Sequence, residues 1–477
     1  MNMNVHRPTS DKFNANAHEA LANEDLQTAL RTARVGFVSK RAKARAQVPE
    51  FDDMRDGARD LKDHVLANLD LYLEEYERKV IASGGVVHWA ETAEDARRIV
   101  LDICRKAGAK TVNKGKTMIS EECGINEHLI DNGIAAVETD LGEYIIQLRG
   151  EMPSHIIGPA VHVTVPQVRD AFIKAHPHLP ADRDLSGLDT LLSEARTVLR
   201  EKYFEAEVGI TGANMLIAET GQSVIVTNEG NGDLSQSLPK VHIVMASLEK
   251  IVPTLEDAST VLRVLARSAT GQEMSVYTTF SKGPRRAEDQ DGPEEYHVVL
   301  LDNGRSGMVG SDFQDMLRCI RCGACMNHCP VYQAVGGHAY GWVYPGPMGA
   351  VLTPSLIGVE KGGHLPNAST FCGRCADVCP MRIPLPKMMR SWREREFEKN
   401  LQPGAARVGL GLWAALAKNP MVYRLAIRGA RMGMGLFMRR GKAKSLPLAS
   451  GWTDSRDFPA PEPGGSFMDR WNKGQRA

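Results

Sequence analysis

Apolar positions along residues 60–302 follow two alternating rhythms. Stretches with an apolar side chain every three or four residues alternate with short apolar runs rich in valine and isoleucine. The first rhythm predicts helices over Asp60–Ile81, Thr92–Cys104, 189–205 and 256–268. Thr92, followed by Glu94 and Asp95, supplies a start signal for the second of these. The second rhythm predicts strands at Val86–Trp89, Lys110–Asn113, Ile134–Glu138, Val208–Ile210, Val224–Thr227, Val241–Met245 and Val298–Leu301. Short apolar strands spaced by helices imply an α/β domain whose mostly parallel sheet is covered on both faces.

The same patterning divides the chain. Residues 1–59 are polar and weakly periodic, an N-terminal helical extension with little chemistry of its own. Residues 60–303 form the α/β domain and 304–400 a cysteine-rich domain, closed by the boundary dipeptide Pro403–Gly404. Within 401–477, residues 405–440 are amphipathic with helical tendency, and the proline-rich tail from Pro447 reads as an extended strap.

Composition narrows the class. At 43% hydrophobic and 24% charged residues the chain has material for a sizeable core. Its net charge of zero provides no global field toward nucleic acid. The polar N-terminus lacks the apolar stretch of a secretory signal. Two uncharged stretches, 152–168 and 331–359, are interrupted by proline and glycine, and neither is expected to stay helical across a bilayer. The reading is a cytoplasmic protein with reduced thiols. Between Leu401 and Ser445 lie nine Lys/Arg residues and no acids, interleaved with Trp413, Leu416, Met421, Leu425, Ile427, Met434 and Phe437. This stretch is open to three readings: peripheral attachment to an anionic membrane, a docking face for partner subunits, or an amphipathic helix on its own core with a solvated basic face.

Seven of the nine cysteines fall between Cys319 and Cys379. The first motif is Cys319-Ile-Arg-Cys322-Gly-Ala-Cys325-Met-Asn-His-Cys329-Pro330, and the second is Ser369-Thr-Phe-Cys372-Gly-Arg-Cys375-Ala-Asp-Val-Cys379-Pro380. Two residues between successive thiolates let three of them surround one face of an iron–sulfur cubane, with Gly323 and Gly373 relieving backbone crowding. In two-cluster ferredoxins the cysteine before the proline ligates the other cluster. Cys319, Cys322, Cys325 and Cys379 are therefore expected at one cluster, and Cys329, Cys372 and Cys375 at the other. Two four-iron clusters are the expectation. The second site has Ser369 where a fourth cysteine would stand, which leaves open a three-iron cluster or a non-cysteine corner. A zinc ribbon would pair its cysteines and has no use for the third two-residue spacing. His328, His338 and His364 nearby read as loop or surface residues, and the isolated Cys104 and Cys123 as structural. The 42 residues between Cys329 and Cys372 favour an α-helical ferredoxin module, flanked by helices at Phe313–Leu317 and Leu385–Arg395 and covered by Gly336–Pro354.

The runs CIRCGACMNHCPVY, GGHAYGWVYPGPMGAVLTP and STFCGRCADVCPMRIPL resemble the lactate utilization protein B family. The likeness extends through VETDLGEYIIQL, PSHIIGPAVH, AETGQSVIVTNEGN, VHIVMASLEKIVPTLEDA and LASGWTDSRDFPAP, nearly the whole chain. The resemblance implies a domain similar to the ribose-isomerase and coenzyme-A-transferase group, then an α-helical two-cluster ferredoxin module and a helical or extended C-terminal region. It implies a non-catalytic electron-transfer subunit of an L-lactate-oxidising complex, whose partners are a cysteine-rich-domain protein and a second lactate-utilization-domain protein. Its cluster ligands carry over to the seven cysteines. An iron–sulfur subunit for another 2-hydroxy acid such as glycolate, or a redox- and metabolite-sensing binding protein, remain the alternatives.

Two loops of the α/β domain invite a ligand. Thr227–Gly232 follows a strand and either binds at a sheet edge or forms a polar turn. Asn113–Lys116 either attracts an anion or forms a solvated turn. No nucleophile–base pair or paired carboxylates stand out, so no catalytic residue is named.

Overall fold

The computed structural model describes residues 8–436, 438, 440–443, 457–461 and 465–474. Described residues up to Glu396 form one compact unit and those from Phe397 onward a second. The first unit contains strands β1 (Val86–Ala90), β2 (Thr111–Gly115), β3 (Ala135–Glu138), β4 (Val208–Gly212), β5 (Met215–Ile217), β6 (Gln222–Thr227), β7 (Val241–Ser247), β8 (Ile251–Val252), β9 (Tyr277–Ser281) and β10 (Glu295–Leu301). Six of them make a parallel sheet in the order β1-β10-β7-β4-β2-β3.

Strand alternation sends Val298 and Leu300 to one face of this sheet and Val299 and Leu301 to the other. Tyr76 and Val80 of helix Leu69–Ala82 cover the first face. Val100 and Cys104 of helix Ala93–Lys106 cover the second. That second helix begins as expected: Thr92 and Asp95 form a reciprocal capping box. Cys104 and Cys123 are buried in the same core.

The expectation of one helix over Asp60–Ile81 is corrected to two, Phe51–Ala67 and Leu69–Ala82, broken at Asn68. The strand at Val224–Thr227 does not join the parallel sheet. It pairs antiparallel with β5 and β9 in a four-stranded sheet ordered β8-β5-β6-β9, whose three other strands lacked a sequence signal strong enough to stand out.

In the cysteine region Phe313–Leu317 proves to be a 3₁₀ turn, Gln314–Arg318, whereas Leu385–Glu398 is an α-helix. Part of the Gly/Pro-rich stretch expected to cover the clusters is itself regular. Gly346–Ile357 forms a buried α-helix despite the internal Pro354, but at 12 residues it is far short of the ~20 a bilayer span needs. No described helix is long and apolar enough to cross a membrane. The N-terminal extension forms helices Phe13–Ala22, Glu24–Ala46 and Phe51–Ala67, and Phe51, Ala58 and Leu66 join the same core as the cysteine motifs.

In the second unit, helices Gly404–Ala417 and Pro420–Leu436 have no buried residue, which overturns the reading of a helix packed on its own core. Phe437, Arg439, Lys444 and, within the strap expected from Pro447 onward, residues 447–456, 462–464 and 475–477 lie outside the described residues.

Candidate metal centre

The two cysteine motifs trace matching backbone paths. Arg321 and Gly323 in the first have φ of 59° and 71°, and Phe371 and Gly373 at the equivalent places in the second have 52° and 82°. Left-handed backbone at a bulky non-glycine residue is costly and persists where surrounding structure holds it. A short helix follows each, Ala324–Asn327 and Arg374–Asp377. Pro330 then starts helix Pro330–Val335, its fixed φ suited to a first turn. Ser369 thus stands where Cys319 stands in the first motif, and its Oγ accepts the N–H of Phe371 at 3.1 Å.

Folding brings the cysteines into two groups. Cys319, Cys322, Cys325 and Cys379 line one cavity, walled by Met316, Met348, Ile383 and Leu385. Cys329, Cys372 and Cys375 lie near enough to affect one another's ionisation. The groups adjoin, since Cys325 also feels Cys375. Cys322 and Cys379 of the first group are buried, while Cys372 of the second is exposed.

Burial, with Cys379 adding, pushes the Cys322 thiol up to about 12; burial likewise takes Cys375 to about 12 and Cys379 to about 11. Such thiols surrender their protons to a metal rather than to water. Four sulfur donors around an apolar cavity, rather than converging on one point, fit a polynuclear iron–sulfur cluster. Among the described residues no three His, Cys, Asp or Glu side chains are placed to hold a single metal ion. The second group offers three thiols, one at the surface.

Cations surround the motifs. Arg55, 1% exposed, donates to the Cys379 carbonyl (3.1 and 2.7 Å) and to that of Asp377 (2.6 Å). Arg41 donates to the Val378 carbonyl at 2.8 Å. Both come from the N-terminal helices, so the expectation that this extension carries little chemistry is corrected. Arg321 lies over the Tyr344 ring at 5.1 Å and bonds Glu249 at 3.3 Å. Burial, with Arg321 adding, lowers the neighbouring Lys250 to about 8. Arg305 grips Glu122 through two bonds of 2.9 and 2.6 Å, and Tyr344 donates to the same carboxylate at 2.6 Å. This network ties the α/β domain to the cysteine domain.

His328, His338 and His364 each bond a backbone carbonyl, of Ala324, Met152 and Ser10. Asn113–Lys116 is not a solvated turn but the end of β2 and the residue after it: Asn113 and Lys114 are buried, Lys114 pairs with Glu121 and Glu138, and Lys116 with Asp140. Thr227–Gly232 is not a free polar turn, because Thr227 and Asn231 are buried and Thr227 donates to the Glu229 carbonyl at 2.7 Å. Sequence reading missed the roles of Arg41, Arg55 and Lys250, which lie far from the motifs along the chain and carry no local signature.

Residues 73–301 match the LUD domain family and residues 315–383 the 4Fe-4S dicluster domain family. The lactate utilization protein B of Bacillus licheniformis is 40% identical over 455 residues, covering 95% of this chain and 94% of that protein. An uncharacterized electron transport protein of Escherichia coli K12, YkgF, is 38% identical over 470 residues, 98% of each chain. A solved DUF162 family protein from Deinococcus radiodurans aligns at 13% identity and a TM-score of 0.28, over 49% of this chain and 98% of that one. The matches define a LUD domain joined to a 4Fe-4S dicluster domain. The chain belongs to the lactate utilization protein B family.

Proposed function

We propose that the chain is the iron–sulfur electron-transfer component of an assembly that oxidises L-lactate to pyruvate. The observation that carries this reading is the sorting of seven cysteines into two adjoining groups, one lining an apolar cavity and one with Cys372 exposed. Cys319, Cys322, Cys325 and Cys379 would hold one cluster, and Cys329, Cys372 and Cys375 the other, with Ser369 or solvent at the open corner. Bound clusters would supply one-electron redox centres, which the described side chains otherwise lack. The protein's own contribution is to exclude water from the first group, to leave Cys372 accessible toward a partner, and to surround the motifs with Arg41, Arg55, Lys250 and Arg321, whose charge favours the more reduced state.

In this reading the LUD domain spans 60–303, with a likeness to the ribose-isomerase and coenzyme-A-transferase group, and the ferredoxin module spans 304–400. The partners are other lactate-utilization subunits. The protein works in the cytoplasm, and its exposed apolar and basic helices, Gly404–Ala417 and Pro420–Leu436, offer the contact face toward a subunit or the inner membrane.

Cys322→Ser in the reconstituted assembly tests the relay. Lactate-dependent reduction of the acceptor should disappear. Undiminished electron flow would favour the sensor alternative. Growth of a deletion strain on L-lactate and on glycolate separates the two acids, with failure on lactate expected.

A further inference from the structure

A cavity of about 170 Å³ opens at the carboxyl ends of the parallel strands. Its walls include Lys116 just after β2, Gly212 at the end of β4 and Met245 in β7. β2 and β4 are neighbours, but the chain leaves them in opposite directions: β3 lies outside β2, and β7 lies on the far side of β4. This is a topological switch point, the crevice at which open α/β sheets receive ligands. Close approach is built in, since a Cβ at Gly212 would sit 2.5 Å from the Lys116 carbonyl oxygen.

The cysteine domain closes the opposite wall with Arg321 and Tyr344. Arg321 lies between Cys319 and Cys322 in the chain. Lys250 lines the same cavity and is only 7% exposed; its ammonium makes no hydrogen bond or ion pair among the described residues, with Glu249 and Cys319 attracting it from farther off. Other buried cations are all engaged: Lys62 with the Glu249 and Ile251 carbonyls, Lys114 with Glu138, and Arg305 with Glu122. A buried ammonium without a partner is costly, and an anion is the group that would relieve it. Glu143 also faces the cavity, and burial, with Glu138 and Asp140 adding, raises its carboxyl well above the usual range, which weakens the repulsion it would offer an anion. The remaining wall is mixed: Ile156, Ile157, Val226 and Leu265 give it an apolar side, and Thr117, Asn214, Thr227 and Thr270 add hydroxyl and amide groups. A small carbon skeleton that also carries a hydroxyl or oxo group matches both kinds of surface.

We propose that this cavity binds a small 2-hydroxy or 2-oxo carboxylate, its carboxylate held by Lys250 and Arg321 and its skeleton lying on the apolar wall. The choice of acid rests on the lactate reading above; the anion site rests on Lys250. Arg321 supplies a planar fork suited to carboxylate, and Lys250 a point charge.

The test is isothermal titration calorimetry on the cluster-loaded full chain with L-lactate, pyruvate and inorganic phosphate, in the wild type, Lys250→Met and Lys250→Arg. Saturable binding of one of the acids is expected, weakened about tenfold or more in Lys250→Met and largely restored in Lys250→Arg, as for loss of one charge-assisted contact. Should Lys250→Met fail to fold, the wild type decides alone: the acid should raise its melting temperature saturably, and phosphate at equal ionic strength should not. Absence of binding by both acids, equal binding in Lys250→Met, or tighter binding of phosphate would overturn the proposal. Electron transfer from lactate is scored separately. Intact transfer without binding here removes this site alone, and binding without transfer removes the relay alone.

Discussion

Arg55 holds Cys379 from 324 residues away in the chain, donating from both Nε and Nη2 to its carbonyl oxygen. A helix of the N-terminal extension is thereby fastened to the loop that completes the first group of cysteines. Arg55→Ala removes three charge-assisted bonds, two to the buried Cys379 carbonyl and one to the half-buried Asp377 carbonyl, together with the ion pair to Asp52. Such a change costs about 3 kcal/mol. Guanidinium unfolding should show that loss, and the iron content of the purified variant should fall with it. Unchanged stability and iron would show that the extension is incidental to the metal centre.

The Glu122–Arg305 pair is nearly inaccessible to solvent, at 0% and 1% of the side chains. Glu122→Gln leaves the buried Arg305 with Glu249 alone at 3.3 Å, and should destabilise the protein by about 3 kcal/mol. The double variant E122Q/R305M should cost clearly less than the two single changes added together. A cycle of unfolding free energies measures the coupling, and simple additivity would contradict it.

Cysteine substitutions should divide by location. Cys379→Ser is expected to reduce bound iron and visible absorbance sharply, because Cys379 lines the cavity with Cys319, Cys322 and Cys325. Cys104→Ala sits in the core of the parallel sheet and should leave both unchanged, at a stability cost of about 1 kcal/mol. Equal iron loss in both variants would break the assignment.

His242 of β7 is buried with its Nε2 at 2.8 Å from Thr211 Oγ1. Burial, with His297 adding, lowers it from 6.5 to about 3. The folded state therefore favours the neutral ring, and its stabilising contribution is whole above pH 6.5 and declines as pH falls toward 3. Over that window the loss is on the order of 5 kcal/mol. Unfolding free energy should fall less steeply with acidification in His242→Gln than in the wild type. Identical slopes would contradict the assignment.

The parallel sheet was legible because its strands are continuous apolar runs, buried on both faces and bounded by helices. The second sheet was not. Met215–Ile217 and Ile251–Val252 are only three and two residues long, and Tyr277–Ser281 is largely unburied, so neither length nor apolar content marks them. Helix Gly346–Ile357 was hidden because glycine and proline oppose helix locally, and burial of Met348, Val351 and Leu352 overrides that preference. The cysteine groups were readable from spacing, since two residues between ligands set three thiolates around one centre and the cysteine before each proline crosses to the other. Lys250 and Arg55 were not, because a lone cation in a helical or strand pattern acquires meaning only when folding sets it beside a distant loop.

Electron paramagnetic resonance of anaerobically prepared protein, as isolated and after dithionite, together with iron and acid-labile sulfide analysis, tests the central claim most directly. Iron and sulfide in cluster proportions are expected, with signals that change on reduction. A colourless protein that carries zinc and shows no redox-active iron would contradict it.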